Sequence, residues 1–502
     1  MRELRGTVCV LACVLLLCKQ SAGKPRVSVL GTSFRDESNR SLIFHGVNYV
    51  SKSAPYIPQV DAAEIQALKS IGSNAVRLGV MMTGVFPTAD AIVNATYLAE
   101  IGDIVDVLWR AGISSILDLH QDVFSPKICG EGMPEWMVNV SSLHCENFPL
   151  PASRENQSKP DTVSGSFVPS PDCSARGLLK FIGWSEFYLT DASGKAFAQF
   201  YEGTSMAGKM VEKYWTTVAG YFRNRDGVLA YELLNEPWVG DHVKHPNLLL
   251  EAGVAEKESV GPYMKRVHSA VRAVDPDTMT LFSPAEVNNR FMRHVGYERG
   301  FLPGEPMAFH VYCVAGTDGA GPTTPVAKEI CHFNDEFQLE TRRSDLKRLG
   351  TAAIVTEFGA VNDAPTGLAE VRFVAEHFDG PGMPLSWIYW SYNRFGVPSE
   401  FNYRQQLARS YPRAVAGDIQ SLFFNATDGE FVLTFVPTSA ALTEVFVSEE
   451  FHYEGGFVAS ASPKSCCEVT LGTNLVSVSV INSRLFLEKP VRVAISRKQG
   501  MV

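Results

Sequence analysis

From residue 44 to about 392 the chain alternates short apolar runs, rich in β-branched residues, with longer stretches whose apolar positions return at helical spacing. Runs of the first kind read as strands buried on both faces, and stretches of the second as crossover helices joining parallel strands. Eight strands are predicted, at 44–50, 75–80, 113–119, 228–234, 279–283, 307–311, 352–356 and 385–390. Between the second and third, Leu98, Ile101, Val105 and Leu108 mark one face of a covering helix. Eight such units predict an α/β fold, a closed (β/α)8 TIM barrel.

Two segments break the rhythm. Residues 125–185, rich in Pro, Ser and Cys, form a long insertion after the third strand, where a loop sits over the open face of a barrel. Beyond about 405 the runs 429–436, 442–447, 475–481 and 491–495 predict a small antiparallel β-sandwich. Residues 26–42, with turn residues at 36–41, predict a hairpin closing the barrel floor. The expected organisation is a signal peptide over 1–23, a catalytic barrel over 24–404 carrying the 125–185 insertion, and a sandwich over 405–502.

The first segment supports export. Arg2 and Arg5 precede an apolar run at 8–18 and the small residues Ser21, Ala22 and Gly23. That run is shorter than the roughly 20 residues that span a bilayer. The expected destination is outside the cell, or a lysosomal or digestive lumen. Asn39, Asn94, Asn139, Asn156 and Asn425 are glycosylation acceptors in such a chain. Seven cysteines follow the leader, and local bridges are expected among Cys129, Cys145 and Cys173 and between Cys313 and Cys331, with Cys466 and Cys467 remaining. A net charge of −9 argues against nucleic acid as a partner.

Chemistry in such a barrel sits at the C-terminal strand ends. Polar residues gather there: Asp118, His120, Gln121 and Asp122 after the third strand, Asn235 and Glu236 after the fourth, His310 and Tyr312 at the sixth, and Glu357 after the seventh. Glu236 in Asn235-Glu236-Pro237 and Glu357 in Thr356-Glu357-Phe358-Gly359 each follow an apolar strand, and Gly359 leaves room for a close approach. Two carboxylates facing one cavity fit glycoside hydrolysis, where one protonates the leaving oxygen and the other attacks the anomeric carbon. That chemistry needs no metal or organic cofactor. Glu232 alternates with Leu233 and is a weaker candidate.

These strands resemble the acid/base and nucleophile strands of the cellulase-like clan of retaining glycosidases. Gly46-Val47-Asn48, Lys52-Ser53-Ala54-Pro55, residues 76–80 around Arg77, Leu117-Asp118-Leu119-His120-Gln121-Asp122, and the run from Tyr411 to Gly417 narrow the resemblance to endoglycoceramidases, over roughly residues 26–495. The resemblance implies cleavage between oligosaccharide and ceramide, with both released intact. It implies Glu236 as acid/base and Glu357 as nucleophile. It further implies that Lys52, His120, Asp122, Asn235, Tyr312 and Trp390 bind the sugar, and that Arg77 and His310 support the nucleophile. The partners it implies are a glycosphingolipid, a transient membrane or micelle surface and a lipid-presenting activator. Met81-Met82 and the long cysteine-rich insertion depart from the family pattern and are expected to border the substrate groove. Phe124, Trp136, Phe181 and Phe187 are expected to line a ceramide channel.

Three alternatives compete: a related retaining β-glycosidase acting on other β-glucosides, a non-enzymatic glycolipid-binding protein, and a structural secreted glycoprotein. Loss of either catalytic carboxylate would mark a binding protein, and both are present.

Overall fold

The computed structural model describes residues 27–128, 130–138, 184–313, 322–361, 364–380, 382–391, 401–481 and 489–498. The leader, Cys129, Cys145, Cys173, Asn139, Asn156 and Phe181 lie outside these residues. Three short strands come first: β1 (Ser28–Leu30), β2 (Ser33–Arg35) and β3 (Ser41–Leu42). Eight parallel strands follow: β4 (His45–Tyr49), β5 (Ala75–Gly79), β6 (Ser114–Asp118), β7 (Val228–Glu232), β8 (Met279–Leu281), β9 (Met307–Val311), β10 (Ala353–Phe358) and β11 (Ser386–Tyr389). Each overlaps a predicted run. They lie in the order β8-β7-β6-β5-β4-β11-β10-β9, and a parallel bridge from Phe282 to Met307 joins the two ends into a closed barrel. The helix Ala95–Arg110 buries Leu98, Ile101, Val105 and Leu108, and begins where the Asn94 side chain accepts the N–H of Tyr97.

The remaining strands are β12 (Tyr411–Val415), β13 (Gly417–Phe424), β14 (Phe431–Pro437), β15 (Thr443–Phe446), β16 (Phe457–Ser462), β17 (Cys467–Gly472), β18 (Leu475–Val480) and β19 (Val491–Arg497). They form two antiparallel sheets, one ordered β13-β14-β19-β16 and the other β1-β2-β3-β12-β15-β18-β17. Alternate residues point inward. Phe431, Leu433 and Phe435 of β14 thus share a core with Val445, Val476 and Val478 of the second sheet.

The N-terminal hairpin forms, but its hydrogen bonds run elsewhere than the barrel: β3 pairs with β12, so the first strands of the chain extend a sheet built from the last. Phe34 and Leu42 still cover the barrel floor, against Phe44, Ala75, Ile116 and Ile354. The Tyr411–Gly417 motif lies at the junction of barrel and sandwich. The Tyr411 hydroxyl donates to the Gly72 carbonyl at 2.7 Å, and its ring stacks on His45 at 3.6 Å. Cys313 pairs with Cys331, and Cys466 with Cys467.

Candidate active site

At the C-terminal end of the barrel a polar layer replaces the apolar interior, and Arg77 on β5 is its centre. Its fully buried guanidinium donates to Glu232 Oε2 at 2.7 Å and Oε1 at 3.0 Å, to Asn48 Oδ1 at 3.0 Å, to Asn235 Oδ1 at 2.7 Å and to Glu357 Oε1 at 2.6 Å. Asp118 lies 3.0 Å away. Burial opposes the charge, but Asp118, Glu232 and Glu357 outweigh it and hold the pKa well above its ordinary value. A buried cation is tolerated because its donors are met in this way. Glu232 thus points into the barrel and serves the layer beneath the site.

Glu236 and Glu357 come together around His310. His310 Nδ1 lies 2.8 Å from Glu236 Oε1 and 3.5 Å from Glu357 Oε2, and the Tyr312 hydroxyl donates to that same Glu357 oxygen at 2.7 Å. Burial acts to lower the His310 pKa, yet Glu357 and Glu236 raise it to about 9. Burial likewise opposes ionisation of Glu236, and the hydrogen bond and charge of His310 prevail, holding that carboxyl below its usual value. Glu236 takes a left-handed backbone, φ 41°, a conformation that costs a non-glycine residue on the order of 1–3 kcal/mol and concentrates at functional sites. A register shift between Val355 and Glu357 on β10 sets Glu357 opposite His310. Gly359 follows with φ 106°, and a Cβ there would meet the Tyr389 ring at 2.3 Å.

A second cluster faces this pair. Lys52 Nζ lies 2.5 Å from Asp122 Oδ2 and 2.7 Å from Glu131 Oε1, and 4.9 Å above the Trp390 ring. His120 contacts Asp118 at 2.8 Å and Asp122 at 3.2 Å, and stacks on Trp390 with centroids 5.4 Å apart. Burial acts to lower His120, but Asp122 and Asp118 raise it to about 9. Burial favours a neutral Asp122, but Lys52 and His120 hold it well below the carboxylate range. Burial, opposed by Lys52 and reinforced by Asp122, pushes Glu131 up to about 8. His120, Asp122 and Glu131 have the donor types of a metal site, with donor atoms within 4.8 Å of one another, but the Lys52 ammonium already bridges the two carboxyl groups.

Residues 36–396 match the cellulase model of glycosyl hydrolase family 5, and residues 409–484 match the family 5 C-terminal domain. The chain belongs to glycosyl hydrolase family 5. An endoglycoceramidase of Cyanea nozakii is 29% identical over 469 residues, covering 86% of this chain and 85% of the relative. One of Hydra vulgaris is 29% identical over 490 residues, covering 90% and 86%. In fold, the chain is similar to endo-glycoceramidase II from Rhodococcus sp., solved as a ganglioside GM3 complex, with a TM-score of 0.72, 21% identity and coverage of 93% of this chain and 100% of that one.

Glu236, Glu357 and the eight residues given sugar-binding or nucleophile-support roles all gather at the C-terminal end of this family 5 barrel, with several placements that the sequence did not indicate. His310 makes its shorter contact to Glu236 and only the longer one to Glu357. Tyr312 bonds the expected nucleophile. Asn235 is engaged at both ends of its amide, accepting from Arg77 and donating from Nδ2 to the Gln121 carbonyl at 2.9 Å. Met81 and Met82 are fully buried, so that departure from the family pattern does not border the groove. Phe124 and Phe187 are buried in the core, Phe124 against Phe197 and Phe200, and cannot line an open channel.

Two site residues escaped the sequence reading. Glu131 reaches Lys52 from the insertion through an antiparallel bridge to Asp122, and Gly130 and Gly132 beside it leave no room for a Cβ against the 120–123 backbone. A glutamate between two such glycines was the available signal. Glu286 follows β8 as Glu236 follows β7, so the strand-end rule applied to it equally.

Proposed function

We propose that this chain hydrolyses the linkage between oligosaccharide and ceramide in glycosphingolipids, with retention, releasing both parts intact. The observation that carries the reading is a pair of buried carboxylates held against one imidazole nitrogen, in a chain aligned over 86% of its length with an endoglycoceramidase. Glu236 Oε1 and Glu357 Oε2 lie 2.8 and 3.5 Å from the same nitrogen, His310 Nδ1, so the two carboxyls converge on one point, as a retaining enzyme requires, rather than standing apart around a water. Glu357, held by Arg77 and Tyr312, attacks the anomeric carbon. Glu236 passes the proton it shares with His310 to the ceramide oxygen and later takes one from the attacking water. Lys52, His120, Asp122 and Asn235 hold sugar hydroxyls, and Trp390 offers a face to the ring.

A lipid surface is part of the proposal. The helix Pro325–Leu349 runs about 37 Å at 1.5 Å per residue, against about 16 Å for the five residues of β9. Its Gln338 donates to the His310 carbonyl at the strand end, so the turns before it stand beyond the barrel rim. On them Val326, Ile330, Phe333 and Phe337 form an exposed stripe, with Phe333 69% accessible. The Cys313–Cys331 disulfide ties the stripe's helix to the residue after Tyr312. Export through the 1–23 leader, to the exterior or a digestive lumen, completes the proposal.

Incubating the full chain, beside Glu236→Gln and Glu357→Gln, with a ganglioside in detergent and weighing the products by mass spectrometry tests the reading. Intact glycan and intact ceramide, absent with both variants, are expected; stepwise loss of terminal sugars would sink it.

A further inference from the structure

Glu286 stands beside the acid/base carboxylate and has no part in the reaction as written. It opens the short helix Glu286–Arg290 after β8, and its backbone N–H donates to the Pro237 carbonyl at 2.9 Å, tying it to the turn that carries Glu236. Its side chain is buried, and one oxygen from each of Glu236 and Glu286 and one ring nitrogen of His310 lie within 4.8 Å of one another. The groups facing it are Glu236 at the end of β7, His310 on β9, Arg290 on its own helix with Nε 3.3 Å from Oε1, and Arg342 on Pro325–Leu349. Asn289 Nδ2 donates to Oε2 at 3.1 Å.

We propose that Glu286 is a positioning residue for the catalytic proton: a second carboxyl that shares the cluster's proton with Glu236 and sets the pH above which Glu236 can no longer protonate the leaving oxygen. The inference rests on the reading of Glu236 as acid/base. Two carboxyls this close in a buried site do not ionise independently, and their protons leave as those of a coupled pair. Burial, then the charge of Glu236, pushes Glu286 up to about 7. Once Glu286 ionises, its charge falls on the Glu236–His310 pair and strengthens the hold of that pair on the proton they share. Glu286 exchanges no atom with the substrate. In the first half-reaction the C–O bond to the aglycone breaks, the Glu236 proton goes to the departing oxygen, and Glu357 bonds to the anomeric carbon. In the second, water's oxygen bonds that carbon, the Glu357 ester breaks, and the water proton returns to Glu236.

The test compares kcat/KM against pH for the full chain, Glu286→Gln and Glu286→Asp on two soluble substrates. A phenyl β-glycoside needs acid assistance, and its 2,4-dinitrophenyl counterpart leaves without a proton. For Glu286→Gln the alkaline limb on the phenyl substrate should move down by about one pH unit, and the loss at neutral pH should exceed that on the dinitrophenyl substrate about tenfold. Glu286→Asp should recover most of both. An unshifted alkaline limb, or equal losses on the two substrates, overturns the proposal and leaves Glu286 a structural residue. Failure of the unsubstituted chain to cleave a glycosphingolipid would instead sink the substrate reading, without touching the aryl-glycoside comparison.

Discussion

Tyr312 donates one hydrogen bond, and it goes to Glu357, the proposed nucleophile. Hydrogen bonds to charged groups contribute about 1.5–3 kcal/mol. Tyr312→Phe should therefore lower kcat about 10- to 100-fold with the fold intact, measured as single-turnover rates beside a thermal melt. An equal fall in stability would recast Tyr312 as a packing residue. The convergence of Glu236 and Glu357 was legible because each glutamate follows an apolar strand, and strand ends are where a barrel exposes side chains. The partner each residue chooses was not legible. That His310 leans toward Glu236, and that Arg77 spans from Glu232 to Glu357, depends on which side chains the closed barrel brings to one level. Glu131 was hidden for another reason: it lies outside the strand rhythm and reaches the site only through a loop bridge.

Among the elements, the helix Pro325–Leu349 separates two jobs along its length. Its second half packs Leu339, Leu346 and Leu349 into the core. Its first half carries the exposed stripe, bordered by Glu336, Glu340 and the Lys328–Glu329 ion pair, a net acidic border that favours contact with neutral rather than anionic lipid. Replacing Phe333 and Phe337 together with Ser should weaken flotation with phosphatidylcholine vesicles and lower cleavage of vesicle-borne glycosphingolipid several-fold more than cleavage of an aryl glycoside. Equal effects on both substrates would remove the lipid surface from the proposal. The barrel strands could be read from sequence because they are apolar on both faces. Among the sandwich strands, β12, β13, β16 and β17 went unread. β12 holds Pro412, which argues locally against a strand, and β16 and β17 expose alternate small or polar residues that blunt the period-two signal.

For the molecule as a whole, the site's titrating groups make stability depend on pH. His120 and His310, raised from 6.5 to about 9 by their carboxylate partners, add stability that is complete below about pH 6.5 and lost as pH climbs through about 9. Glu131 and Glu286, raised by burial to about 8 and about 7, keep protons that the unfolded chain has released, so their contribution also falls as pH rises from about 4.5. Asp122, held low by Lys52 and His120, acts oppositely, adding stability above about pH 4 that acid removes. Thermal melts should therefore peak near pH 5 and decline toward pH 9, which suits an acidic lumen; a peak above pH 8 would contradict this. The pairing of β3 with β12 bears on biosynthesis. Ser41 Oγ donates to the Gly417 carbonyl across 376 residues, so the strands made first find their partners only when the chain is nearly finished. A chain stopped at residue 404 should be protease-sensitive and insoluble, and co-expression of 405–502 should rescue it in part. The order of synthesis and the order of assembly thus run against each other, and the nascent barrel must be kept from aggregating until its tail arrives.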